Sequence, residues 1–265
     1  DVKNIKLGTN AVGNTVNIDG GSIVGDVYGG YVEYTDLPLN NSNNVVTVSG
    51  GEMHNVIGAF TTATEGMGSY GSIDDTNVTI DGEDSSITGY VVGGMIADVY
   101  ANLRRNNVII KNGTINSPSE AIYGSLTLAL DPDNYPLGTK DLSNNTLSNN
   151  TVTIEGGSVN VSSIYGAKGV KNDTLSANQV SISGGNFVGS TNIIGGETES
   201  GTVSGNIVNI SGGNFSGYIL GGTAKTGSVV NNTINIFDTP TLSNSLIGGD
   251  IVNSDLENLL TATSY

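Results

Sequence analysis

The sequence predicts an all-β fold, a right-handed parallel β-helix of about eight coils with three strands in each coil. Three observations predict it: a motif that recurs at solenoid spacing, apolar residues that alternate in twos, and glycine at fixed places in the motif. The motif is clearest from Asn150 to Val159 and continues to Gly166. We predict one structural unit over residues 1–265, a fragment of a larger protein, with an inserted loop at about 128–146.

Each repeat begins with a polar residue two positions before the first core residue. Successive repeats are separated by 30, 32, 30, 44, 28, 28 and 26 residues, a period typical of solenoids. Asparagine holds this first position in seven of the eight repeats, which predicts a buried ladder of hydrogen-bonded side chains. A row of carbohydrate-binding amides is the alternative. The eight first positions are Asn14, Asn44, Thr76, Asn106, Asn150, Asn178, Asn206 and Asn232.

The first strand of each repeat carries two apolar residues that are separated by one polar residue. Val152 and Ile154 are such a pair, and side chains two apart on a strand share one face. A glycine pair such as Gly156 and Gly157 follows in five repeats. Glycine fits a corner where φ is positive or where stacked backbones come close. A second strand with one apolar residue completes the corner, as at Val159.

The third strand of each repeat ends in two adjacent apolar residues before a glycine, as in Ile164, Tyr165 and Gly166. Neighbours on a strand point to opposite faces, so one member of each pair should face outward. We expect the loops that follow, such as Tyr31 to Asn43 and Glu197 to Gly205, to fold back over this outward column. If they do not, the column is a docking stripe.

Composition limits the classes of partner. The chain has 9 basic and 25 acidic residues and a net charge of −16, so its field repels nucleic acid and anionic membranes. It has no cysteine, which excludes disulfides and thiolate metal sites. Its apolar runs are shorter than the roughly 20 residues that a membrane-spanning helix needs. We therefore expect no nucleic-acid partner and no membrane-embedded segment in this fragment.

The spacing of 44 residues contains an irregular insertion, and irregular excursions from a regular scaffold often carry function. We predict that the binding residues lie there, although a solvated insertion without a partner is an open alternative. The candidates are Asp131, Asp133, Asn134, Tyr135, Lys140 and Asp141.

Few residues in the sequence could support catalysis. The only histidine, His54, has no nucleophile motif around it and is interpreted as a surface residue. A carbohydrate-active β-helix enzyme would use Asp19 and Asp81, which lie two coils and thus roughly 9–10 Å apart. Inverting glycosidases place their carboxyl groups roughly 6.5–9.5 Å apart, but nothing near this pair predicts an apolar pocket. We expect no enzyme activity and no catalytic residue.

We also expect no cofactor. Calcium is the one metal for which hard oxygen ligands occur at short spacing. These ligands are Asp131, Asp133 and Asn134 in the insertion, and Asp81, Glu83 and Asp84 at a corner. Neither group matches a known calcium-binding loop, so we interpret both as solvated acidic turns, with a calcium site as the alternative.

The repeats resemble the passenger regions of autotransporter adhesins, which Gram-negative bacteria secrete by the type V route. The residues that carry the resemblance are Asn14–Gly21 with Val27–Gly30, and Asn150–Gly157 with Ile164–Gly166. The resemblance implies an extracellular position at the bacterial cell surface, outside the outer membrane. It also implies attachment to a host-cell receptor or glycan, or to a partner bacterium, and hence a role in virulence. A rigid spacer that displays a binding tip elsewhere is the alternative.

Overall fold

The structure is a computed structural model that describes residues 10–34, 39–63, 70–97, 100–128, 144–238 and 240–251. These residues form 29 strands and no helix. Parallel strands stack into a β-solenoid of about seven turns, so the predicted β-helix is confirmed.

The strands, numbered along the chain, have the following bounds: β1 Thr15–Ile23, β2 Val27–Tyr34, β3 Leu39–Asn40, β4 Val45–Met53, β5 Val56–Ala63, β6 Tyr70–Asp74, β7 Asn77–Ile80, β8 Ser85–Ile87, β9 Val91–Ala97, β10 Tyr100–Arg104, β11 Asn107–Ile110, β12 Thr114–Leu128, β13 Thr146–Ser148, β14 Thr151–Ile154, β15 Ser158–Lys168, β16 Asp173–Ser176, β17 Gln179–Ile182, β18 Asn186–Phe187, β19 Asn192–Thr198, β20 Gly201–Ser204, β21 Ile207–Ile210, β22 Asn214–Phe215, β23 Ile219–Leu220, β24 Thr223–Ala224, β25 Ser228–Val230, β26 Thr233–Ile236, β27 Thr241–Leu242, β28 Leu246–Ile247 and β29 Asp250–Ile251.

Equivalent residues of successive coils lie directly opposite one another. In the first strands, Val152 pairs with Val108 on one side and Val180 on the other. In the first seven coils, the main core is formed by the first-strand pairs, the single apolar residue of the second strand and the first member of the third-strand pair. Its residues in the middle coils, such as Ile154 and Ile164, are completely buried. The predicted inward positions are therefore confirmed.

The glycine corners have both of the causes that the sequence predicts. The second glycine of a pair has positive φ, for example 81° at Gly157 and 99° at Gly185. The first glycine is a place of close approach, because a Cβ on Gly184 would lie 2.2 Å from the carbonyl oxygen of Glu155 in the coil before. Corners with a glycine pair, apart from the first at Gly20, therefore exclude side chains at two adjacent positions, for two different reasons.

A fourth strand in each coil, which the sequence analysis did not predict, returns the chain to the next first strand. These return strands, β3, β6, β10, β13, β16, β20 and β25, form a separate seven-stranded parallel sheet. A second core lies between the return strands and the long extension of the third strand. Leu103, Leu147 and Leu175 supply it from the return strands, and Val32 and Ile96 supply it from the third strands.

The position of the second core corrects the prediction that loops cover the outward column. The described residues of these two segments, 31–34 with 39–43 and 197–205, do not fold back over it, because they continue the third strand and then return on its inner side. The chain returns on the inner side because most coils carry an apolar residue three positions before their first residue, and burial of this residue is favourable. Leu175, three positions before Asn178, is an example and is buried in the second core.

The Asn ladder, formed by the first residues of the coils, lies between the two cores. The backbone N–H of Asn150 donates to Oδ1 of Asn178 at 3.0 Å, and Nδ2 of Asn150 donates to the same oxygen at 2.9 Å. Nδ2 also donates to the carbonyl oxygen of Leu103 at 3.0 Å. The side chains of Asn106, Asn150 and Asn178 are fully buried, which confirms the ladder and excludes carbohydrate binding by these amides.

One break in the ladder is compensated by a second polar residue. Thr76 has no amide, and its hydroxyl lies 2.8 Å from Oδ1 of Asn106 and 2.7 Å from the carbonyl oxygen of Gly93. Asn44 instead donates to Oδ1 of Asn41 at 2.8 Å. Asn41 occupies the position that is apolar in the other coils, and it is fully buried. The polar residue in the second core thus replaces the acceptor that Thr76 lacks.

A column of eight glycines faces the Asn ladder and separates the two cores. A Cβ added to one of the first seven would lie 2.3–2.5 Å from the carbonyl oxygen of the next glycine in the column. At Gly166 the same atom would also lie 3.2 Å from Cβ of Asn178. The first seven positions of the column therefore have no room for a side chain. Its members are Gly29, Gly58, Gly93, Gly124, Gly166, Gly195, Gly221 and Gly248.

We predict that Gly166→Ala destabilises the fold by about 2–3 kcal/mol, because backbone atoms of two coils must move to admit the methyl group. The matched control is Gly20→Ala, since a Cβ at Gly20 meets nothing within 4 Å. Urea unfolding followed by circular dichroism measures both. Equal midpoints for the two variants would show that the column tolerates side chains.

Candidate functional site

The outward side of the third strands carries six aromatic residues, which we name the aromatic face. Beneath them lie Ile57, Val92 and Met95, which are 0%, 0% and 2% exposed. Most of the aromatic side chains are only partly buried. They belong to five successive coils, so the face runs along one side of the rod. The six residues are Tyr28, Tyr31, Phe60, Tyr90, Tyr123 and Tyr165.

The rings contact one another across coils. The ring centroid of Tyr28 lies 6.0 Å from that of Phe60 in a stacked arrangement and 5.4 Å from that of Tyr31 in an edge arrangement. The rings of Tyr123 and Tyr165 stack at 5.2 Å with an angle of 5° between them. These contacts shelter the aliphatic residues below, and they hold the exposed parts of the rings in fixed positions.

Asp26 organises the end of the aromatic face that lies in the first coils. Its Oδ2 accepts a hydrogen bond from the hydroxyl of Tyr28 at 3.0 Å, and its Oδ1 accepts one from Nδ2 of Asn55 at 2.8 Å. Nδ1 of His54 lies 3.1 Å from Oδ1. His54 has a side chain that is 54% exposed, which confirms its interpretation as a surface residue.

Lys168 holds the other end of the face. Its Nζ lies 2.9 Å from Oε1 of Glu197 and 4.8 Å from the ring centroid of Tyr165. Burial alone would lower the pKa of this lysine, but Glu197 and Tyr165 favour the charged form and raise the pKa above its usual value. A lysine is thus held by an aromatic ring and a carboxylate together.

The tyrosines of the face remain neutral well into the alkaline range. Burial, followed by the charges of Asp26 and Glu120, raises the pKa of Tyr90 to about 12. Burial is also the largest cause for Tyr123, where Lys168 opposes it and the pKa is still raised to about 12. For Tyr31 burial and Glu33 raise the pKa.

The predicted binding residues Asp131, Asp133, Asn134, Tyr135, Lys140 and Asp141 lie outside the described residues. The described residues on either side of the insertion are nevertheless informative. β12 ends at Leu128, directly before the insertion, and this strand supplies Tyr123 and Leu126 to the aromatic face and its floor. The insertion therefore starts from the strand that carries the centre of the face.

A buried carboxylate joins the two sides of the insertion. Asp173, in the next coil, accepts a hydrogen bond from Oγ1 of Thr127 at 2.8 Å and from Nδ2 of Asn145 at 2.9 Å. It also accepts from the backbone N–H of Asn145 at 2.9 Å. Burial raises the pKa of Asp173, while these hydrogen bonds oppose the shift. The chain is thus fixed immediately before and after the inserted loop.

The other candidates from the sequence do not converge on this face. Asp81 lies on the first-strand side of the rod, 3.2 Å from Nζ of Lys111, and Asp19 is aligned with Gly50 at a corner. No group of three or more acidic or histidine side chains that could hold a metal occurs within the described ranges. Nor does that part of the chain contain a helix long and apolar enough to cross a bilayer.

Sequence reasoning identified only half of the aromatic face. Tyr28, Tyr123 and Tyr165 each belong to an apolar pair before a glycine, Val27–Tyr28, Ile122–Tyr123 and Ile164–Tyr165, of which one member was predicted to face outward. Tyr31 and Phe60 were missed, although each follows an outward residue by three positions. Two small residues intervene at the glycine column, and the strand keeps its outward side beyond them. An apolar residue three positions after the predicted outward one is the signal that would have located them.

Comparisons of the chain with models of known protein families, with curated proteins and with solved structures found no match.

We predict an alkaline transition that depends on the aromatic face. Because the folded-state pKa of Tyr90 and Tyr123 is raised from 10.0 to about 12, their contribution to stability is complete below pH 10 and is lost as the pH rises toward 12. Tyrosinate absorbance should show a component that titrates near pH 12 and disappears in the Tyr90→Phe, Tyr123→Phe variant. The control Tyr218→Phe, which removes a ring that is 49% exposed, should leave this component in place. Titration of all tyrosines in one step near pH 10 by the folded protein would contradict the prediction.

Proposed function

We propose that the chain is a fragment of a bacterial cell-surface adhesin. In this proposal it is an extracellular β-helical rod without enzyme activity, and it attaches the cell to a host-cell receptor or glycan or to a partner bacterium. The aromatic face is the observation that carries the proposal. Partly exposed apolar surfaces with a polar rim are typical of interaction sites, and tyrosine is enriched among residues that dominate binding energy.

The position of the insertion in the chain supports the same location for the contact surface. It begins directly after β12, so residues such as Asp131, Tyr135 and Lys140 follow the strand at the centre of the face. Fixation of both flanks by Asp173 would limit the reach of the inserted loop and reduce the entropy lost on binding. We propose that the face and the insertion together form one contact surface.

The alternative, a rigid spacer, is favoured by a different observation. Among the described residues, five ion pairs of lysine or arginine link adjacent coils along the rod, in addition to the Asn ladder. Arg104 and Arg105 each form a bidentate pair, with Asp74 and Asp75 of the preceding coil. The hydrogen bonds from Arg105 are the largest cause of the lowered pKa of Asp75. Such links stiffen the solenoid whether or not it binds a partner. The five pairs are Arg104–Asp74, Arg105–Asp75, Lys111–Asp81, Lys168–Glu197 and Lys225–Glu199.

Binding of the labelled chain to epithelial cells, to partner bacteria and to a glycan array tests the proposal. We expect saturable binding to at least one of them, with about a thirtyfold loss in the Tyr31→Ser, Tyr90→Ser variant, because the two rings lost from the contact are worth roughly 1 kcal/mol each. A variant in which a short Gly-Ser link replaces residues 129–143 should bind more weakly as well.

Tyr218→Ser is the control, because Tyr218 occupies the same position of its coil as Tyr90 and its backbone N–H has the same type of asparagine acceptor. If the wild-type chain binds to none of these targets, the adhesin proposal is wrong and the spacer is preferred.

A further inference from the structure

We propose that the aromatic face binds a basic polypeptide segment, whose lysine or arginine side chains lie over the rings and pair with carboxylates at the rim. This inference rests on the proposed function, because it names the class of partner for the same surface.

The arrangement at Lys168 shows how this surface holds a cation. The ammonium group lies 4.8 Å from the ring centroid of Tyr165 and 2.9 Å from the carboxylate of Glu197 in the following coil. The Tyr165 ring is itself stacked on Tyr123. A cation over an aromatic ring gains roughly 0.5–2 kcal/mol, and a nearby carboxylate adds to this.

In the preceding coils the same position is uncharged. Lys168 is aligned with Leu126, which is aligned with Met95. The column continues to Phe60 and then to Tyr31 in the first coil. The chain therefore provides its own cation at one end of the face, whereas the other coils offer rings and aliphatic carbon at that position. A cation there has to come from a partner.

Carboxylates border these uncharged coils. Asp26 is hydrogen-bonded to Tyr28, and its side chain is 29% exposed. Glu33 and Glu120 are exposed, and their charges act on Tyr31 and on Tyr90 respectively. Within the described ranges, neither lysine nor arginine forms an ion pair with any of these three acids. Among the basic side chains that the structure describes, His54 alone lies beside one of them, with Nδ1 3.1 Å from Oδ1 of Asp26.

The charges favour a basic peptide over a neutral glycan. Rings and hydrogen-bonding groups suit either ligand, but uncompensated carboxylates stabilise a bound cation and give no comparable gain with a neutral sugar. The net charge of −16 also raises the rate of encounter with a positively charged partner. The charges around the aromatic face therefore favour a basic polypeptide segment as the ligand.

The test uses a short peptide of alternating lysine and serine, together with the same peptide fully acetylated on its lysines. Fluorescence anisotropy with the full chain should show saturable binding of the first peptide and at least tenfold weaker binding of the second. Asp26→Asn with Glu120→Gln removes charge without changing shape and should weaken binding about fivefold to tenfold. Tyr90→Leu should have a similar effect, because it keeps apolar bulk and removes the ring.

The controls are Tyr218→Leu and Glu155→Gln, an exposed ring and an exposed carboxylate outside the aromatic face, and both should bind like the wild type. Equal binding of the acetylated peptide, or no effect of the charge-removing variant, would overturn the inference.

The cell-binding experiment separates this inference from the proposed function. Cell or glycan binding that depends on Tyr90, with no binding of the lysine peptide, would overturn the basic partner and leave the adhesin proposal standing. Binding of the lysine peptide without attachment to cells, bacteria or glycans would support the basic segment and contradict the adhesin.

Discussion

A buried amide group costs free energy unless its donors and acceptors all have partners, and the Asn ladder gives each of its middle members partners in neighbouring coils. Nδ2 of Asn178 donates forward to Asn206 and back to the carbonyl oxygen of Leu147, while its Oδ1 accepts two bonds from Asn150. This leaves no hydrogen-bonding capacity unused. Because the bonds run between coils, they require each coil to place its asparagine directly over the previous one.

The remaining features of the cross-section depend on this alignment. The glycine column exists because the backbone of the third strand has to pass close to the stacked amides, and a Cβ at Gly124 would lie 3.2 Å from Cβ of Asn150. The contact divides the interior into two cores, one on each side. It also brings the outward side chains of the third strands into register, so that residues such as Tyr123 and Tyr165 stack at 5.2 Å. The aromatic face is therefore a consequence of the same repeat that builds the rod.

The coil, the main core, the corners and the ladder could be predicted from the sequence, because each depends on residue types that recur at one spacing. Examples are Val152 and Ile154 for the core, Gly157 for a corner and Asn150 for the ladder. The return strand was not predicted, since it contributes one apolar residue per coil, such as Leu147, in a segment rich in serine and asparagine. For the same reason, the prediction that the loops after the third strands fold back over the outward column was wrong. Asp26 and Tyr90 were missed because they belong to different coils, and the sequence does not show that the folded chain brings them close to one another. Binding by the residues of the insertion, from Asp131 to Asp141, stays a prediction.

The most direct test of the role of the ladder is the stability of Asn178→Asp relative to Asn160→Asp. Both asparagines donate from Nδ2 to an asparagine of a neighbouring coil, at 3.0 Å and 2.8 Å, but Asn178 is fully buried and Asn160 lies at the surface of the rod. We predict a loss of about 3–5 kcal/mol at pH 7 for Asn178→Asp, because the substitution leaves an unpaired buried charge. Burial should raise the pKa of the new carboxyl, so part of the loss should be recovered as the pH falls to about 4. The surface variant should lose about 0.5 kcal/mol or less. Similar urea midpoints for the two variants at pH 7 would contradict the dependence of the fold on the ladder.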